Sequence, residues 1–232
     1  MKENTDREKL TRHLRAHHLE TIFPERLQPH LSLYEFEPGD FICTQGSPAE
    51  MLYVLVKGKV KVYTSSAEGK TLILSFKKPL DLFGDIEHVH RAPILNTVEA
   101  VTPVSMIGVH DRWLRAYASD HAPLLQFMLE TIAGKFYQMA NAMSFNLMHP
   151  VEVRLASYLL SVSLDEADAR QDDARSAIPL TDTANLIGTS YRHLNRVIQQ
   201  FCAEDLVERH RGGIRVKDRE RLSALAGRNI YE

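Results

Sequence analysis

Six polar side chains with long hydrogen-bonding reach are crowded into one short stretch near the carboxyl-terminal end of the sequence. The stretch LTDTANLIGTSYRHLNRVIQQF runs from Leu180 to Phe201, and the six residues are Tyr191, Arg192, His193, Asn195, Arg196 and Gln199. Arginine can make paired hydrogen bonds to guanine, and asparagine or glutamine can make them to adenine. This composition is typical of a protein surface that reads base edges in DNA.

The spacing of the smaller and apolar residues in this stretch predicts a helix-turn-helix. Gly188 is the expected turn residue, and the small residue Ala184, four positions earlier, would let two helices cross closely. Ser190 is a suitable N-cap for the second helix. One buried face of that helix is predicted from the i, i+3, i+4, i+7 spacing of Leu194, Val197, Ile198 and Phe201. The polar residues then fall on the opposite face, where a recognition helix contacts the major groove.

The segment ERHRGGIRV, which follows, predicts the β-hairpin that completes a winged helix. Two strands are expected, Val207–His210 and Ile214–Lys217, joined around two glycines. Without such a wing, the preceding helix could be an amphipathic helix whose polar face is only solvated. With the wing, the residues expected to contact DNA are Ser190, Tyr191, Arg192, His193, Asn195, Arg196, Gln199 and Arg211.

The charge distribution also favours nucleic acid in this part of the chain. The net charge is −2, yet residues 189–221 hold eight Lys and Arg against five Asp and Glu, and an acidic segment, DEADARQDD, precedes them at 165–173. A local basic surface attracts the phosphate backbone. Arg211 in the wing is therefore expected to contact phosphates. Tyr191 and His193 suit either phosphate contacts or packing at the start of the helix.

The elements that precede the helix-turn-helix begin with a region of short strands. From Leu31 to Val109, glycines punctuate runs such as LYVLVKGKVKVY and KTLILSF. Val60 and Val62 alternate with polar neighbours, and Leu72 and Leu74 have the same spacing, which is interpreted as the period-two pattern of half-buried strands. Many short strands at spacings of about 8–12 residues favour an all-β barrel or roll.

A long helix is predicted after the strands. Asp111 can cap a short helix, RWLRAYA, and a longer helix follows from about His121. Apolar residues in it are spaced 4, 3, 4, 3 and 4 apart, at Leu125, Leu129, Ile132, Phe136, Met139 and Met143. This narrow heptad seam is typical of helix pairing between two chains. The alternative is a helix packed on its own β-domain.

These patterns divide the chain into four expected parts: an N-terminal helix or arm at 1–20, a β-roll at 21–118, a dimerisation helix at 119–147 and a winged helix-turn-helix at 148–232. The fold class is therefore α+β. No apolar run approaches the length of about 18 residues needed to span a bilayer, and no signal-peptide core is present. With only Cys43 and Cys202, the composition favours a protein of the reducing cytoplasm.

The order of these parts resembles the catabolite activator/fumarate–nitrate regulator (CRP/FNR) family of bacterial transcription factors. The segments YVLVKGKVKVY, LFGDIE and IGTSYRHLNRVIQQF carry the resemblance, which covers about residues 25–225, and SYRHL is similar to the YeiL-like subgroup. The resemblance implies a homodimer that binds an inverted repeat in double-stranded DNA, works with RNA polymerase and commonly activates transcription.

The resemblance also identifies where an effector would bind, and there the sequence departs from the family. Cyclic-nucleotide-binding members place a Gly-Glu about ten residues before an arginine that neutralises the cyclic phosphate. Gly84 and Asp85 occupy the first position here, while Ile94 or Leu95 occupies the position of the arginine. An apolar side chain offers a phosphate no charge-assisted hydrogen bond. The expected effector is therefore unknown and is not cyclic AMP.

Other cofactors of the family fit the sequence poorly. An iron–sulfur cluster needs four cysteines in the known family members, and this chain has two. Haem-binding members use a histidine in the region of His88 and His90, although two exposed loop histidines are the simpler expectation. His13 and His17, at i and i+4, could share a metal ion on a helix. No metal site is predicted from either pair.

The recognition helix departs from its well-known relatives in one position. Those relatives carry a glutamate that accepts a hydrogen bond from cytosine, and Arg192 stands in its place here, whereas Arg196 matches the family's guanine-contacting arginine. A DNA target unlike the best-known half-sites is implied.

Two other classes of protein compete with a DNA-binding regulator. A cupin-like metalloenzyme on the β-roll needs a glutamate three or four residues after a His-x-His, but the next glutamate after His88-Val89-His90 is Glu99. A ligand-binding module without DNA contact would not need the helix-turn-helix and its wing. The sequence therefore favours a regulator and not an enzyme.

Overall fold

The computed structural model describes residues 2–4, 6–67, 71–168, 179–210 and 213–227, which form two compact units, Met1–Phe136 and Tyr137–Glu232. The first unit contains strands β1 (Lys2–Asn4), β2 (Ser32–Phe36), β3 (Phe41–Cys43), β4 (Met51–Lys57), β5 (Val60–Ser65), β6 (Thr71–Lys77), β7 (Leu82–Phe83), β8 (Thr97–Ala100) and β9 (Val104–His110). Its helices are α1 (Arg7–Ala16), α2 (Asp85–His90) and α3 (Asp111–Tyr117). The predicted β-roll is confirmed, and strand β1, which the sequence analysis did not predict, joins one of its sheets.

Two antiparallel sheets form the β-roll. One sheet has the order β1-β2-β9-β4-β7 and the other β3-β8-β5-β6. Side chains of both sheets are buried between them, among them Leu55, Val60 and Met106. A second part of the core packs α1 and α3 on the sheet, with Leu10, Leu14 and Leu114 buried there. Burial of these apolar side chains is what holds the helices to the roll.

The alternation predicted for β6 is wrong in phase. Leu72 is 46% exposed and Ile73 is buried, so the inward residue is the one between the two predicted leucines. The pairing with β5 shifts register between Val62 and Tyr63, where Tyr63 lies opposite Ile73. A bulge of this kind adds one residue to one strand and turns the following side chains to the other face.

Helix α3 begins one residue earlier than the sequence indicates. His110, not Asp111, is the N-cap, and its Nδ1 atom accepts a hydrogen bond from the backbone amide of Arg112 at 3.2 Å. Asp111 is instead the first residue of the helix, where its carboxylate is placed for side-chain contacts described below.

A 27-residue helix, α4 (Ala122–Met148), follows the β-roll. Leu124 and Met128 are buried in the core of the first unit. The predicted heptad residues lie on a different face: Ile132 is half-buried, whereas the exposed fraction is 45–67% for Leu125, Leu129, Phe136, Met139 and Met143. The helix therefore has a buried stripe and a separate apolar stripe that its own chain leaves largely exposed.

The second unit continues from α4 with α5 (Val151–Asp168), α6 (Leu180–Leu186), α7 (Tyr191–Ala203), β10 (Val207–His210), β11 (Gly213–Val216) and α8 (Arg219–Ala226). Pro150 directly precedes α5, and its carbonyl accepts a hydrogen bond from the Arg154 amide at 3.2 Å. Helix α5 extends into the acidic segment, since it includes residues 165–168. None of the helices in the described part of the chain combines the length and the hydrophobicity that a membrane-spanning helix needs.

Candidate nucleic-acid interface

Helix α7 is built as the sequence predicts. Ser190 is its N-cap, and the Ser190 hydroxyl accepts a hydrogen bond from the His193 amide at 3.2 Å. Such a cap satisfies one of the amide groups that have no partner within the first turn of a helix. The buried face consists of the four expected residues, each no more than 1% exposed: Leu194, Val197, Ile198 and Phe201.

The polar side chains lie away from this buried face. Tyr191, Arg192, Arg196 and Gln199 are exposed, while His193 and Asn195 are half-buried. Arg192 and Arg196 are one helical turn apart, so both guanidinium groups project from the same side of α7. The structure thus places the predicted base-reading side chains together on an open helix surface with nothing from their own helix covering them.

The turn between α6 and α7 depends on a glycine and on a residue that the sequence analysis did not find. Gly188 has a φ of 65°, a left-handed conformation that favours glycine. Arg154 of α5 is 9% exposed and donates from its guanidinium to the carbonyl oxygens of Ile187 and, at 3.3 Å, Gly188. The Thr189 amide also donates to the Ala184 carbonyl at 2.9 Å. Arg154 therefore holds the backbone of the turn that sets the direction of α7.

The wing is present as the predicted hairpin, with its second strand beginning one residue early. Strands β10 and β11 pair antiparallel, with Glu208 opposite Arg215 and Arg209 opposite Ile214. Glu208 and Arg215 form an ion pair across the hairpin. Arg211, the wing residue predicted to contact phosphates, lies outside the described residues.

Arg209 connects the wing to the recognition helix. Its guanidinium donates a hydrogen bond to the Oδ1 atom of Asn195. The sequence predicts the strand that carries Arg209 but not its contact with Asn195, which arises because β10 packs beside α7. The role of Arg154 could have been suspected from the sequence, because it is a charged residue within the apolar run of α5.

The four residues of the expected effector site differ in their exposure to solvent. Gly84 caps α2 with a φ of 85°, and a Cβ atom there would lie 2.2 Å from the Met51 carbonyl oxygen. Asp85 is 2% exposed, and Ile94 is buried in the β-roll core, whereas Leu95 is 55% exposed. The Leu95 amide donates to the Glu87 carboxylate at 2.8 Å.

The carboxylate of Asp85 is already paired with a cation from α4. The Lys135 ammonium lies 2.9 Å from both Asp85 carboxylate oxygens and 3.3 Å from an Asp81 carboxylate oxygen. It also donates to the Leu82 carbonyl oxygen. Burial raises the pKa of Asp85, and the Lys135 charge offsets part of that rise. The side chain of Lys135 therefore occupies the space beside the carboxylate of Asp85.

Cys43 is buried in the β-roll, as expected for a small core residue. Burial, with the nearby Glu87 charge, raises the pKa of its thiol to about 12. The thiolate is the reactive form of cysteine, so this thiol is a poor nucleophile at neutral pH.

The expectation that His88 is an exposed loop residue is wrong. It lies on α2, is half-buried, and its Nδ1 atom is hydrogen-bonded to the Asp111 carboxylate. Arg115 donates to the same carboxylate at 2.6 Å. Although burial acts to raise it, hydrogen bonds from Arg115 and His88 hold the pKa of Asp111 below its usual range. His88 thus helps to join α2 to α3, while His90 at the end of α2 is exposed.

His13 on α1 and His17, the C-cap of that helix, stack with ring centroids 6.4 Å apart. The Nε2 atom of His17 is hydrogen-bonded to the Val56 carbonyl oxygen at 2.9 Å. A carbonyl oxygen only accepts, so this nitrogen carries a proton and cannot ligate a metal ion. Within the described residues, no group of three or more His, Cys, Asp or Glu side chains is arranged to hold a metal.

Comparison with known proteins identifies the class of protein. Residues 33–119 match the family described as "Cyclic nucleotide-binding domain", and residues 153–225 match "Crp-like helix-turn-helix domain". The first match covers most of the β-roll, and the second covers the helix-turn-helix and its wing. The chain belongs to the CRP/FNR family of transcriptional regulators, and it is a DNA-binding regulator and not an enzyme.

Individual relatives span most of the chain. It is 23% identical over 204 residues to a CRP-like cAMP-activated global transcriptional regulator of Mycobacterium tuberculosis, covering 87% of this chain and 89% of that one. It is 25% identical over 194 residues to regulatory protein YeiL of Escherichia coli O157:H7, covering 84% and 85%. A CRP-family transcriptional regulator from Thermus thermophilus has the same fold, with a TM-score of 0.72 and 22% identity over 85% of this chain and 98% of that one.

Proposed function

We propose that the chain is a homodimeric regulator that reads an inverted repeat with α7 in the major groove of each half-site. The observation that carries this proposal is the division of α7 into a fully buried apolar face and an open face bearing Arg192, Arg196 and Gln199. Exposed arginines one turn apart suit guanines in neighbouring base pairs. Ser190, Tyr191, His193 and Arg211 are assigned to the surrounding phosphates.

The proposed dimer contact is the exposed apolar stripe of α4. Single apolar side chains are common on protein surfaces, but a row of them at heptad spacing is expected to be covered. A second copy of the same helix supplies a matching stripe, since two-fold pairing brings identical surfaces together. Two recognition helices related by the same axis would then meet two half-sites about one turn of DNA apart.

The β-roll at 21–118 is proposed as the sensory part, the helix at 119–147 as the dimerisation part and 148–232 as the DNA-binding part. The proposed signal is not cyclic AMP, because Ile94 and Leu95 offer a phosphate no charge and Asp85 is already paired with Lys135. Activation together with RNA polymerase, in the cytoplasm, is the proposed mode of action.

Selection from random DNA tests this function directly. The purified full chain is mixed with a library of random duplexes, and bound DNA is sequenced after several rounds. We expect an inverted repeat whose affinity falls steeply as salt is raised, because neutralising phosphates releases counterions. Binding without any selected sequence would contradict sequence-specific reading, and binding of single half-sites by monomers would contradict the proposed dimer.

A further inference from the structure

Arg209 lies on a strand of the wing that is attached to the recognition helix. The strand that carries it begins with Val207, which is 1% exposed, as part of the core beneath α7. At the base of the wing, the Leu206 amide donates to the Phe201 carbonyl at 2.9 Å, and the Lys217 amide donates to the Leu206 carbonyl at 2.9 Å. The hairpin is therefore tied to the end of α7, which keeps the backbone of Arg209 close to Asn195.

The hydrogen bond from Arg209 fixes the orientation of the Asn195 amide group. An asparagine side chain has one accepting oxygen and one donating nitrogen, and rotation by half a turn exchanges them. A guanidinium can only donate, so this hydrogen bond forms only when Oδ1 of Asn195 faces Arg209. Paired recognition of adenine needs a defined arrangement, with the amide oxygen accepting from N6 and the amide nitrogen donating to N7.

We propose that Arg209 is a positioning residue that fixes the Asn195 amide and thereby gives α7 a preference for adenine at one base pair of each half-site. This inference rests on the proposed function, because it assumes that α7 lies in the major groove. Asn195 retains a second lone pair on Oδ1 and both hydrogens on Nδ2 for the base. The wing then sets specificity through the helix, without reading a base itself.

The test uses site selection with the full-length chain and matched arginine variants. Arg209→Met removes the donor and keeps the length of the apolar stem. Arg215→Met is the matched control, because Arg215 lies on the same hairpin and pairs with Glu208 instead of with α7. Asn195→Ala identifies the base pair concerned.

We expect Arg209→Met and Asn195→Ala to lower the preference for adenine about tenfold at the same single base pair, leaving other positions unchanged. The double variant should lose no more there than either single one, because both act through one amide. Arg209→Lys, which keeps a donor, should recover part of the preference. Arg215→Met should leave the selected sequence as it is.

Two results would overturn the inference. If Arg209→Met weakens all sequences alike and lowers the slope of log affinity against log salt by about one unit, Arg209 contacts a phosphate. If Asn195→Ala leaves every position of the selected site unchanged, the amide reads no base. In both cases the unaltered chain still selects a sequence, whereas failure of the unaltered chain to select one would refute the proposed function itself.

Discussion

Lys135 and Asp85 form an ion pair inside the β-roll unit, with the ammonium nitrogen 2.9 Å from each carboxylate oxygen. The side chain of Asp85 is 2% exposed and that of Lys135 is 19% exposed. The two residues lie on different helices, so the pair joins α2 to α4. Phe136, the next residue, belongs to the exposed stripe proposed as the dimer contact.

Replacing Lys135 with methionine should destabilise the first unit. Asp85 would remain buried without its cation, and breaking such a pair typically costs about 3–5 kcal/mol. Trp113, the one tryptophan of the chain, lies in this unit, so its fluorescence during urea unfolding reports on the right transition. Lys9→Met is the control: its pair with Glu35 is more exposed, and the expected loss is below about 1 kcal/mol.

The loss in Lys135→Met should depend on pH. Burial already raises the pKa of Asp85, and without Lys135 it should rise further. A carboxyl group with a higher pKa when folded binds its proton more tightly in the folded state, so it lowers the free energy of unfolding as pH rises. The variant should therefore recover stability relative to the unaltered protein as pH falls from 7 through the pKa of Asp85. Equal losses at pH 7 and pH 5 would contradict this explanation.

Charges placed in the exposed stripe of α4 should dissociate the dimer. In Ile132→Asp/Phe136→Asp, two unpaired carboxylates would be buried at the proposed contact, which costs several kcal/mol if the dimer persists. Sedimentation should show monomers. Tyr137→Asp is the control, because Tyr137 is 65% exposed, similar to Phe136 at 67%, but lies outside the heptad row. If both replacements dissociate the dimer equally, or if neither does, the dimer contact lies elsewhere.

Cyclic AMP should neither bind tightly nor improve DNA affinity. The positions aligned with the phosphate-binding arginine are Ile94 in the core and Leu95 at the surface, and no charge is available from either. Calorimetry with the unaltered chain should show no micromolar binding. If binding is seen, another cation must pair with the cyclic phosphate. Arg91 is the nearest candidate in the sequence, and Arg91→Ala would test it.

Arg154→Met should weaken DNA binding without changing the preferred sequence. The guanidinium holds the carbonyl groups of Ile187 and Gly188, and charged hydrogen bonds of this kind contribute about 1.5–3 kcal/mol. Loosening the turn should lower the affinity for all sites by a common factor. A changed site preference with unchanged thermal stability would mean that Arg154 acts on the DNA more directly.

The parts of the fold that follow from local patterns could be predicted from the sequence. The face of α7 follows from helical spacing, the Ser190 cap from its hydroxyl, and the hairpin from Gly212-Gly213, because each depends on residues that are near one another in the chain. These local features also contain most of the proposed DNA-contacting residues.

Features that depend on distant contacts could not be predicted in the same way. The register of β6 against β5 shifts opposite Val62 and Tyr63, and the apolar run at 72–74 does not show which of its residues is buried. The partner of Asp85 lies 50 residues away on α4, and that of Asn195 lies 14 residues away on the wing. Spacing within one element indicates the side on which a residue lies, but not which side chain meets it there.

The last prediction concerns the arginines of α7. Arg192 and Arg196 are both exposed and one turn apart, and each can make two hydrogen bonds to O6 and N7 of guanine. Arg196→Ala should cost about 1–3 kcal/mol on the selected site and relax the preference at one base pair per half-site. Arg192→Ala should do the same at a neighbouring pair, within half-sites centred about 34 Å apart.

A wing variant provides the contrast for this measurement. Arg211→Ala should weaken binding to all sequences alike and flatten the salt dependence, because the sequence places Arg211 at the tip of the hairpin, where a phosphate contact is expected. Each variant is taken through selection from random DNA. If Arg192→Ala and Arg196→Ala reduce the yield but return the same sequence as the unaltered chain, these arginines bind phosphates, and the bases must be read by other side chains of the helix.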